Sequence, residues 1–157
     1  YLASACRCVN VGAVNQGRVM TIELASSAIL IRDRRILLIR RKNAPSLDMF
    51  AFPGGRAEPG ETPEQTALRE FAEETGIAAH SPVLFAFYDL QTENPGRHFH
   101  LSVFLVEADA EAIAEARDDA ADAGWHTPEE IRLLNIPDSV RACVDRIEAE
   151  LLSGQIA

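Results

Sequence analysis

The sequence predicts a mixed α/β domain in which one β-sheet lies between two helices. Strand-like apolar segments make up much of the chain, and two segments with helical spacing of apolar residues, near 63–75 and 137–152, accompany them. Strands and helices do not alternate strictly, which distinguishes the pattern from a doubly wound parallel sheet. A chain of 157 residues is long enough for a single domain with one sizeable core.

Two strands and a tight turn are expected at the start of the domain. Residues 21–32 (TIELASSAILIR) and 35–40 (RILLIR) are rich in Ile and Leu, and only two residues separate them, so the pattern predicts a hairpin. The polar, proline-containing segment 42–48 predicts a loop. Residues 49–53 then predict a short strand.

Further strands are expected in the second half of the chain. Residues 82–90 (PVLFAFYDL) are apolar and aromatic, and residues 98–107 (HFHLSVFLVE) have an apolar side at alternating positions. Asn, Pro and Gly within residues 91–96 predict a turn between them. The acidic, alanine-rich segment 108–123 fits either a helix or a loop. Residues 124–126 predict a short strand.

The first helix has clear start and stop signals. Thr62 is a good N-cap, Pro63 suits the first helical position, and Gln65 completes a capping box. Gly76 favours a left-handed backbone after Thr75, so the helix is expected to end there.

Three glutamates share one face of this helix. At about 100° per residue, Glu70, Glu73 and Glu74 lie together at spacings of three and four. Ala67 and Phe71 fall on the other side and are expected to pack on a core. Carboxylates this close repel each other, and a hard divalent cation such as Mg²⁺ is a natural counter-ion. The alternative is a solvated acidic face without a ligand.

Residues 55–77 resemble the complete Nudix box, G-x5-E-x7-R-E-U-x-E-E-x-G-U, in which U is a bulky aliphatic or aromatic residue. The fixed positions are filled by Gly55, Glu61, Arg69, Glu70, Phe71, Glu73, Glu74, Gly76 and Ile77. Phe71 is slightly unusual, since Leu or Ile is more common at its position. The resemblance implies a Nudix-type α/β/α sandwich with a mixed sheet between helices, in which the box forms a loop, a helix and a loop.

The resemblance also implies an activity, the Mg²⁺-dependent hydrolysis of the diphosphate bond in a nucleoside diphosphate linked to another group. By motif position, Glu70, Glu73 and Glu74 are the expected metal ligands, with the Gly55 carbonyl as a further one. Mn²⁺ is an alternative metal, and the number of metal ions stays open.

The catalytic base is placed differently among Nudix enzymes, either in the box or in a later acidic loop. Asp118 and Asp119 precede the strand with Trp125 and resemble the loop position, although a solvated acidic run is the alternative. Arg69 is expected to orient the glutamates, and Glu61 either supports the metal or pairs with Arg69. The candidates for catalysis are Glu70, Glu73, Arg69 and Asp119.

Three arginines are candidates for contacts with substrate phosphates. Arg40 and Arg41 leave the second strand before the box, and Arg56 follows the box glycine. His98 and His100 share one strand face and form either a paired metal site or ordinary surface histidines. The resemblance favours ADP-ribose or a nucleotide sugar as substrate. The alternatives are a nucleoside triphosphate such as 8-oxo-dGTP, and a non-catalytic module that senses a nucleotide.

Composition narrows the expected partners and location. The net charge of −9 argues against binding a nucleic acid polymer. No run approaches 18 apolar residues, so no membrane span is expected. The three cysteines fit reduced thiols in the cytoplasm. Residues 1–19 are expected to be an N-terminal extension, disordered or left over from expression, before a Nudix domain over residues 20–157. A homodimer is an open alternative to a monomer.

Overall fold

The computed structural model describes residues 21–43, 47–91 and 97–156. The extension expected over residues 1–19 and most of the turn expected over residues 91–96 lie outside the described residues. The strands are β1 (Thr21–Arg32), β2 (Arg35–Arg41), β3 (Phe50–Ala51), β4 (Gly54–Arg56), β5 (Ala79–Gln91), β6 (Arg97–Ala108) and β7 (Ala120–His126). The helices are α1 (Pro63–Thr75), α2 (Pro128–Ile131) and α3 (Asp138–Ser153). Within these ranges, no helix is long and apolar enough to cross a membrane.

Strand β1 joins the two halves of a mixed sheet. Its residues 21–30 pair in parallel with β6, and β6 pairs antiparallel with β5. Its last two residues pair antiparallel with β2, which also pairs with β3 and β7. Residues 25–27 of β1 pair antiparallel with β4. The strand order is β3-β2-β1-β6-β5, with β4 beside β1 and β7 beside β2, so the predicted mixed sheet is confirmed.

The two long helices bury their apolar sides against this sheet. Phe71 of α1 is fully buried in a cluster that contains Ala28 and Phe104. Val144 and Ile147 of α3 are fully buried in a second cluster. Truncation of a core phenylalanine such as Phe71 to alanine costs about 3–5 kcal/mol. The predicted sandwich is therefore confirmed, and this packing holds α1 with its glutamate face turned away from the core cluster.

The acidic segment after β6 forms a loop and then a strand, so the helical alternative for residues 108–123 is wrong. The Arg32 guanidinium donates hydrogen bonds to the carbonyls of Asp109 and Ala112 at 2.8 and 2.9 Å. Strand β7 starts at Ala120, earlier than expected, and pairs with β2. Contacts with β1 and β2 therefore override the helix propensity of the alanines, because they satisfy backbone groups that a helix would pair internally.

Strand β4 differs from the prediction, because the resemblance implies a loop at the start of the box. Gly-Gly-Arg has little intrinsic preference for a strand. Its conformation follows from pairing with residues 25–27 of β1. This pairing places the start of the box directly beside the central strand.

Candidate active site

Helix α1 begins and ends at its capping residues. Thr62 Oγ1 accepts a hydrogen bond from the Gln65 N–H at 3.3 Å, and Gln65 Oε1 accepts one from the Thr62 N–H at 2.8 Å. Gly76 has a φ of 72°, and its N–H donates to the Ala72 carbonyl at 2.9 Å. An N-cap of this kind contributes about 1 kcal/mol. The predicted capping box and C-terminal glycine are confirmed.

Two glycines allow β4 to pass close to the glutamates of α1. A Cβ atom on Gly54 would lie 2.6 Å from the Ser27 Cα, and one on Gly55 would lie 2.5 Å from the Glu70 carboxyl carbon. Any larger residue at these two positions would therefore clash. The Gly54 N–H donates a hydrogen bond to Glu74 Oε2 at 2.8 Å. The box opens with glycine because the backbone lies against two carboxylates.

Glu74 is a deeply buried carboxylate, with 2% of the residue exposed. Burial raises the pKa of its carboxyl to about 7, although the Gly54 N–H and the Arg41 guanidinium act in the opposite direction. Burial is also the main cause that raises the pKa of Glu70, opposed by Arg69. Ionisation is therefore costly for both carboxyls, and a cation bound beside them would favour their charged forms.

Arg69 connects the loop side of the site with the helix. Its Nε and Nη2 donate to the two oxygens of Glu61 at 2.6 and 2.9 Å. Its Nη1 donates to Glu70 at 2.8 Å and to Glu73 at 3.1 Å. Its Nη2 also donates to the Arg56 carbonyl at 3.0 Å. Hydrogen bonds from Arg69, and then from a loop N–H, lower the pKa of Glu61 to about 2, so this ion pair stays charged across physiological pH.

Glu73 is more exposed than Glu74, which is buried, and Glu70, which is partly buried. Its side chain is 46% exposed, and its carboxylate contacts Arg69. The helical spacing places it beside Glu70, as expected, but it does not line the pocket that Glu70 and Glu74 share.

A pocket of about 550 Å³ lies beside Glu70 and Glu74. Its polar lining includes Glu70, Glu74, Arg41, Arg56, Asn43 and Asp119. Its apolar lining includes Leu90, Phe99, Leu101, Val103, Pro137 and Val140. The polar groups come mainly from the ends of β2 and β4 and from α1, whereas the apolar groups come from β5, β6 and the start of α3. A pocket of this size and mixed lining suits a small organic ligand that carries charge.

The structure brings Asp119, but not Asp118, to the pocket. The backbone of Asp118 adopts a φ of 46°, and its carbonyl accepts a hydrogen bond from Lys42 Nζ at 2.8 Å. The charge of Asp119 contributes to the raised pKa of Glu74, which places the two carboxylates in the same electrostatic environment.

Two of the three candidate arginines reach the pocket. Arg41 and Arg56 line it, and Arg41 Nη1 donates to the Gly54 carbonyl at 3.3 Å. Arg40 instead pairs with Asp48 at 3.1 Å. Successive side chains of a strand point to opposite faces, so the structure separates Arg40 from its neighbour Arg41.

The two histidines of β6 gather around an aspartate outside the pocket. Asp89 Oδ1 lies 3.1 Å from His98 Nδ1 and 3.9 Å from His100 Nε2. Within the described ranges, no group of three or more His, Cys, Asp or Glu side chains is arranged to hold a metal ion. Both histidines are partly buried and lie within 4 Å of this carboxylate, which fits histidines with a polar partner.

The pocket nevertheless fits a metal that is held partly by a substrate. Glu70 and Glu74 offer carboxylate oxygens, and the backbone of Gly55 lies against Glu70. Mg²⁺ commonly takes one or two carboxylates and completes its shell with waters and phosphate oxygens. This binding mode requires fewer oxygen donors from the protein than a closed cage of three carboxylates would supply.

Sequence reasoning missed the apolar wall of the pocket. Leu101 and Val103 of β6 lie opposite Ala25 and Ser27 of β1 in the parallel pairing. Their alternation on one strand face was visible in the sequence, but their proximity to the box depends on which strand pairs with β1. Nothing in the sequence marks Asn43 as a residue of the site, because single polar residues are common in loops.

Comparisons with known proteins agree with the box. The sequence profile of the NUDIX domain matches residues 22–146. Over 100 residues the chain is 38% identical to the ADP-ribose pyrophosphatase of Methanocaldococcus jannaschii, covering 64% of this chain and 59% of that protein. Over 88 residues it is 39% identical to the 8-oxo-dGTP diphosphatase of Escherichia coli, covering 55% of this chain and 66% of that protein. The matches thus span less than two thirds of either relative.

The fold is also similar to solved structures. The crystal structure of the MutT NUDIX hydrolase from Burkholderia pseudomallei superposes with a TM-score of 0.72 at 27% identity. The similarity covers 80% of this chain and 97% of that one. The α/β/α sandwich predicted from the sequence is therefore confirmed by an independent fold.

Proposed function

This chain belongs to the Nudix family, and we propose that it is a metal-dependent pyrophosphohydrolase acting on nucleoside diphosphate derivatives. ADP-ribose or a nucleotide sugar is the first proposed substrate, and the similarity to an ADP-ribose pyrophosphatase supports it. The observation that carries the proposal is the buried carboxylate of Glu74 beside the partly buried carboxylate of Glu70, in a pocket that Arg41 and Arg56 also line.

The proposed metal ligands are Glu70, Glu74 and the Gly55 carbonyl, with Mg²⁺ or Mn²⁺ as the ion. Bound there, the ion would neutralise phosphate charge and lower the pKa of water. Glu73 is proposed as a more exposed ligand, which would have to leave Arg69 in order to reach the ion.

The side chains around the glutamates have distinct proposed roles. Arg41 and Arg56 bind the phosphate oxygens of the substrate, and Arg69 orients Glu70. Asp119 accepts a proton from the attacking water while the water oxygen bonds to phosphorus. The bond from that phosphorus to the bridging oxygen breaks, and two phosphorylated products leave. Positioning and charge neutralisation are the expected main contributions of the protein.

The apolar wall supports a nucleoside as the uncharged part of the substrate. The ring of Phe99 lines the pocket, and the Arg56 guanidinium lies 5.4 Å from its centroid and 3.2 Å from Glu23. A nucleobase could stack on this partly buried ring if the Arg56 guanidinium moves towards the phosphates, and Leu90 and Leu101 would then flank the base. Arg56 thus stands where the charged and apolar linings meet.

A nucleoside triphosphate is the second candidate substrate. The observation that favours it is the 39% identity to an 8-oxo-dGTP diphosphatase over 88 residues. The two candidates differ in their products, because a triphosphate would yield a nucleoside monophosphate and pyrophosphate, whereas ADP-ribose would yield AMP and ribose 5-phosphate.

A substrate panel tests the proposal. The full chain is incubated with ADP-ribose, nucleotide sugars, dinucleotide polyphosphates, ordinary triphosphates and 8-oxo-dGTP, each with Mg²⁺, with Mn²⁺ or with EDTA, and products are separated by ion-exchange chromatography. We expect metal-dependent turnover with the highest kcat/KM for ADP-ribose or a nucleotide sugar. A kcat/KM at least tenfold higher for a triphosphate would favour the second candidate.

Binding without turnover on every substrate would contradict the enzyme proposal and favour a nucleotide-sensing module instead. Calorimetric titration with AMP and ADP-ribose provides that control. The homodimer and the cytoplasmic location stay predictions, and light scattering of the purified chain measures the first of them.

A further inference from the structure

The segment that carries Asp119 is tied to two elements of the site. The Arg117 N–H donates to the Glu74 carbonyl at 2.9 Å, which attaches the segment to the end of α1. The Lys42 N–H donates to the Asp119 carbonyl at 2.9 Å, which attaches it to the residue after β2. The backbone that presents Asp119 is thus fixed from both sides of the pocket.

Between these anchors the chain makes a turn. Asp118 adopts a left-handed backbone with a φ of 46°, a conformation that aspartate tolerates better than most residues other than glycine. Its carbonyl is held by Lys42 Nζ at 2.8 Å. Such a conformation persists when surrounding contacts determine it, and strained residues of this kind cluster at functional sites.

The Asp119 side chain has a separate contact of its own. Asn43 Nδ2 donates to Asp119 Oδ1 at 2.7 Å, and both residues line the pocket. A bond to one carboxylate oxygen restricts rotation of the group. Because the amide is neutral, it orients the carboxylate without placing a charge beside it.

We propose that Asn43 is a positioning residue that holds the Asp119 carboxylate in the orientation needed to take a proton from water. The inference rests on the proposed function, in which Asp119 is the base. Asn43 acts through Asp119, so removal of its amide should slow the chemical step and leave substrate binding unchanged.

A double-mutant cycle tests this role. The full chain is compared as wild type, Asn43→Ala, Asp119→Ala and the double variant, with the best substrate of the panel at saturating Mg²⁺. We expect Asp119→Ala to lower kcat about 100-fold, as for loss of a general base. We expect Asn43→Ala to lower kcat about 10-fold because the base is misplaced, with KM unchanged within about twofold. In the double variant the loss should equal that of Asp119→Ala alone.

Lys42→Met is the matched control. It removes the side-chain bond to the Asp118 carbonyl but leaves the Asn43 amide on the Asp119 carboxylate. Its kcat should stay within about twofold of wild type, since the backbone N–H of residue 42 still holds the Asp119 carbonyl and Asn43 still holds the carboxylate. An equal loss in Lys42→Met and Asn43→Ala would overturn the positioning role and show that loop anchoring alone matters. Thermal unfolding of each variant verifies that it is folded.

The other outcomes separate the inference from the function on which it rests. If Asn43→Ala lowers kcat by the same factor with and without Asp119, Asn43 acts independently and the inference is wrong. If Asp119→Ala keeps its kcat, the base assignment and the inference both fail, while metal-dependent turnover still supports the pyrophosphohydrolase. Wild-type protein without any turnover would overturn both proposals.

Discussion

The glutamates at the two ends of the box helix lie in opposite electrostatic environments. At its start, Glu61 pairs with the Arg69 guanidinium through both oxygens, and its pKa falls to about 2. At its end, Glu74 is buried against β4 with one backbone N–H as its hydrogen-bond donor, and its pKa rises to about 7. The charge of Glu61 is neutralised by an arginine of the protein. The charged form of Glu74 is disfavoured by burial, so a bound cation would stabilise it.

This difference shows why a motif rich in glutamates also needs its arginine. Arg69 satisfies the carboxylate of the loop and fixes Glu70 from one side, but it does not touch Glu74. Burial leaves the remaining negative charge unfavourable near the pocket. The helix therefore combines a permanently charged structural pair with a site whose charge depends on its ligand.

The largest effect is expected for Glu74→Gln, which removes the charge at the buried end of the helix. Glutamine keeps an oxygen that can accept the Gly54 N–H, so the fold should survive, but the charge that holds the metal is lost. We expect kcat with Mg²⁺ to fall about 1000-fold. The exposed Glu64 in the first turn of α1 offers a matched control, since Glu64→Gln changes the same net charge away from the pocket. Near-normal kcat in Glu74→Gln would refute the ligand assignment.

The raised pKa of Glu74 predicts a pH-dependent stability of the metal-free protein. Below the ordinary value of 4.5 the carboxyl is protonated in both states and has no effect. As pH rises towards 7, the unfolded state loses its proton first, so the free energy of unfolding falls, by up to about 3 kcal/mol. Glu74→Gln should lack this loss. Urea unfolding in EDTA between pH 4 and 8 measures it, and parallel curves for the two proteins would contradict the burial argument.

Arg69→Ala should disrupt the compensated end of α1. It leaves Glu61, Glu70 and the Arg56 carbonyl without their guanidinium partner, and we expect a larger fall in the free energy of unfolding than loss of a single surface pair gives. Arg40→Ala is the control, because its pair with Asp48 is exposed and should contribute less than about 0.5 kcal/mol. Equal losses in the two variants would show that the Arg69 network adds no more than a surface pair.

The smallest effect is expected for Glu73→Gln, which tests whether the exposed glutamate of this helical face matters as much as the buried Glu74. Glu73 is half exposed and bonded to Arg69, so we expect kcat to fall less than about tenfold. Steady-state kinetics across a Mg²⁺ titration provides the measurement. A fall as large as that of Glu74→Gln would show that Glu73 contributes as much to metal binding as the buried glutamate does.

The parts of this molecule that the sequence predicted well depend on local signals. Thr62, Pro63, Gln65 and Gly76 define the box helix through contacts within a few residues of each other. The apolar periodicity of β1, β2 and α3 likewise reflects each element's own buried face. The box adds fixed spacing, which places Glu70 and Glu74 one helical turn apart whatever the rest of the chain does.

The parts that could not be predicted depend on partners distant in sequence. The Gly54–Arg56 strand exists because β1 passes beside it, and the 109–119 loop is not a helix because Arg32 binds its carbonyls. Arg69 reaches both Glu70 and Glu73, but only the fold decides which of them faces the pocket. The spacing in the sequence predicts which side chains are neighbours on the helix, but it does not predict which of them face the pocket.

The parallel pairing of β1 with β6 has a consequence for the nascent chain. Strand β1 can pair with residues 97–106 only after they have been synthesised, and the residues of the box helix are synthesised earlier. Until then Phe71 lacks Phe104 as a packing partner, and apolar surface of the helix stays open to chaperones or to aggregation. A pause in synthesis shortly after β5 would prolong this exposure, whereas a pause after β6 would leave Val103 without its packing partners Val144 and Ile147 of α3.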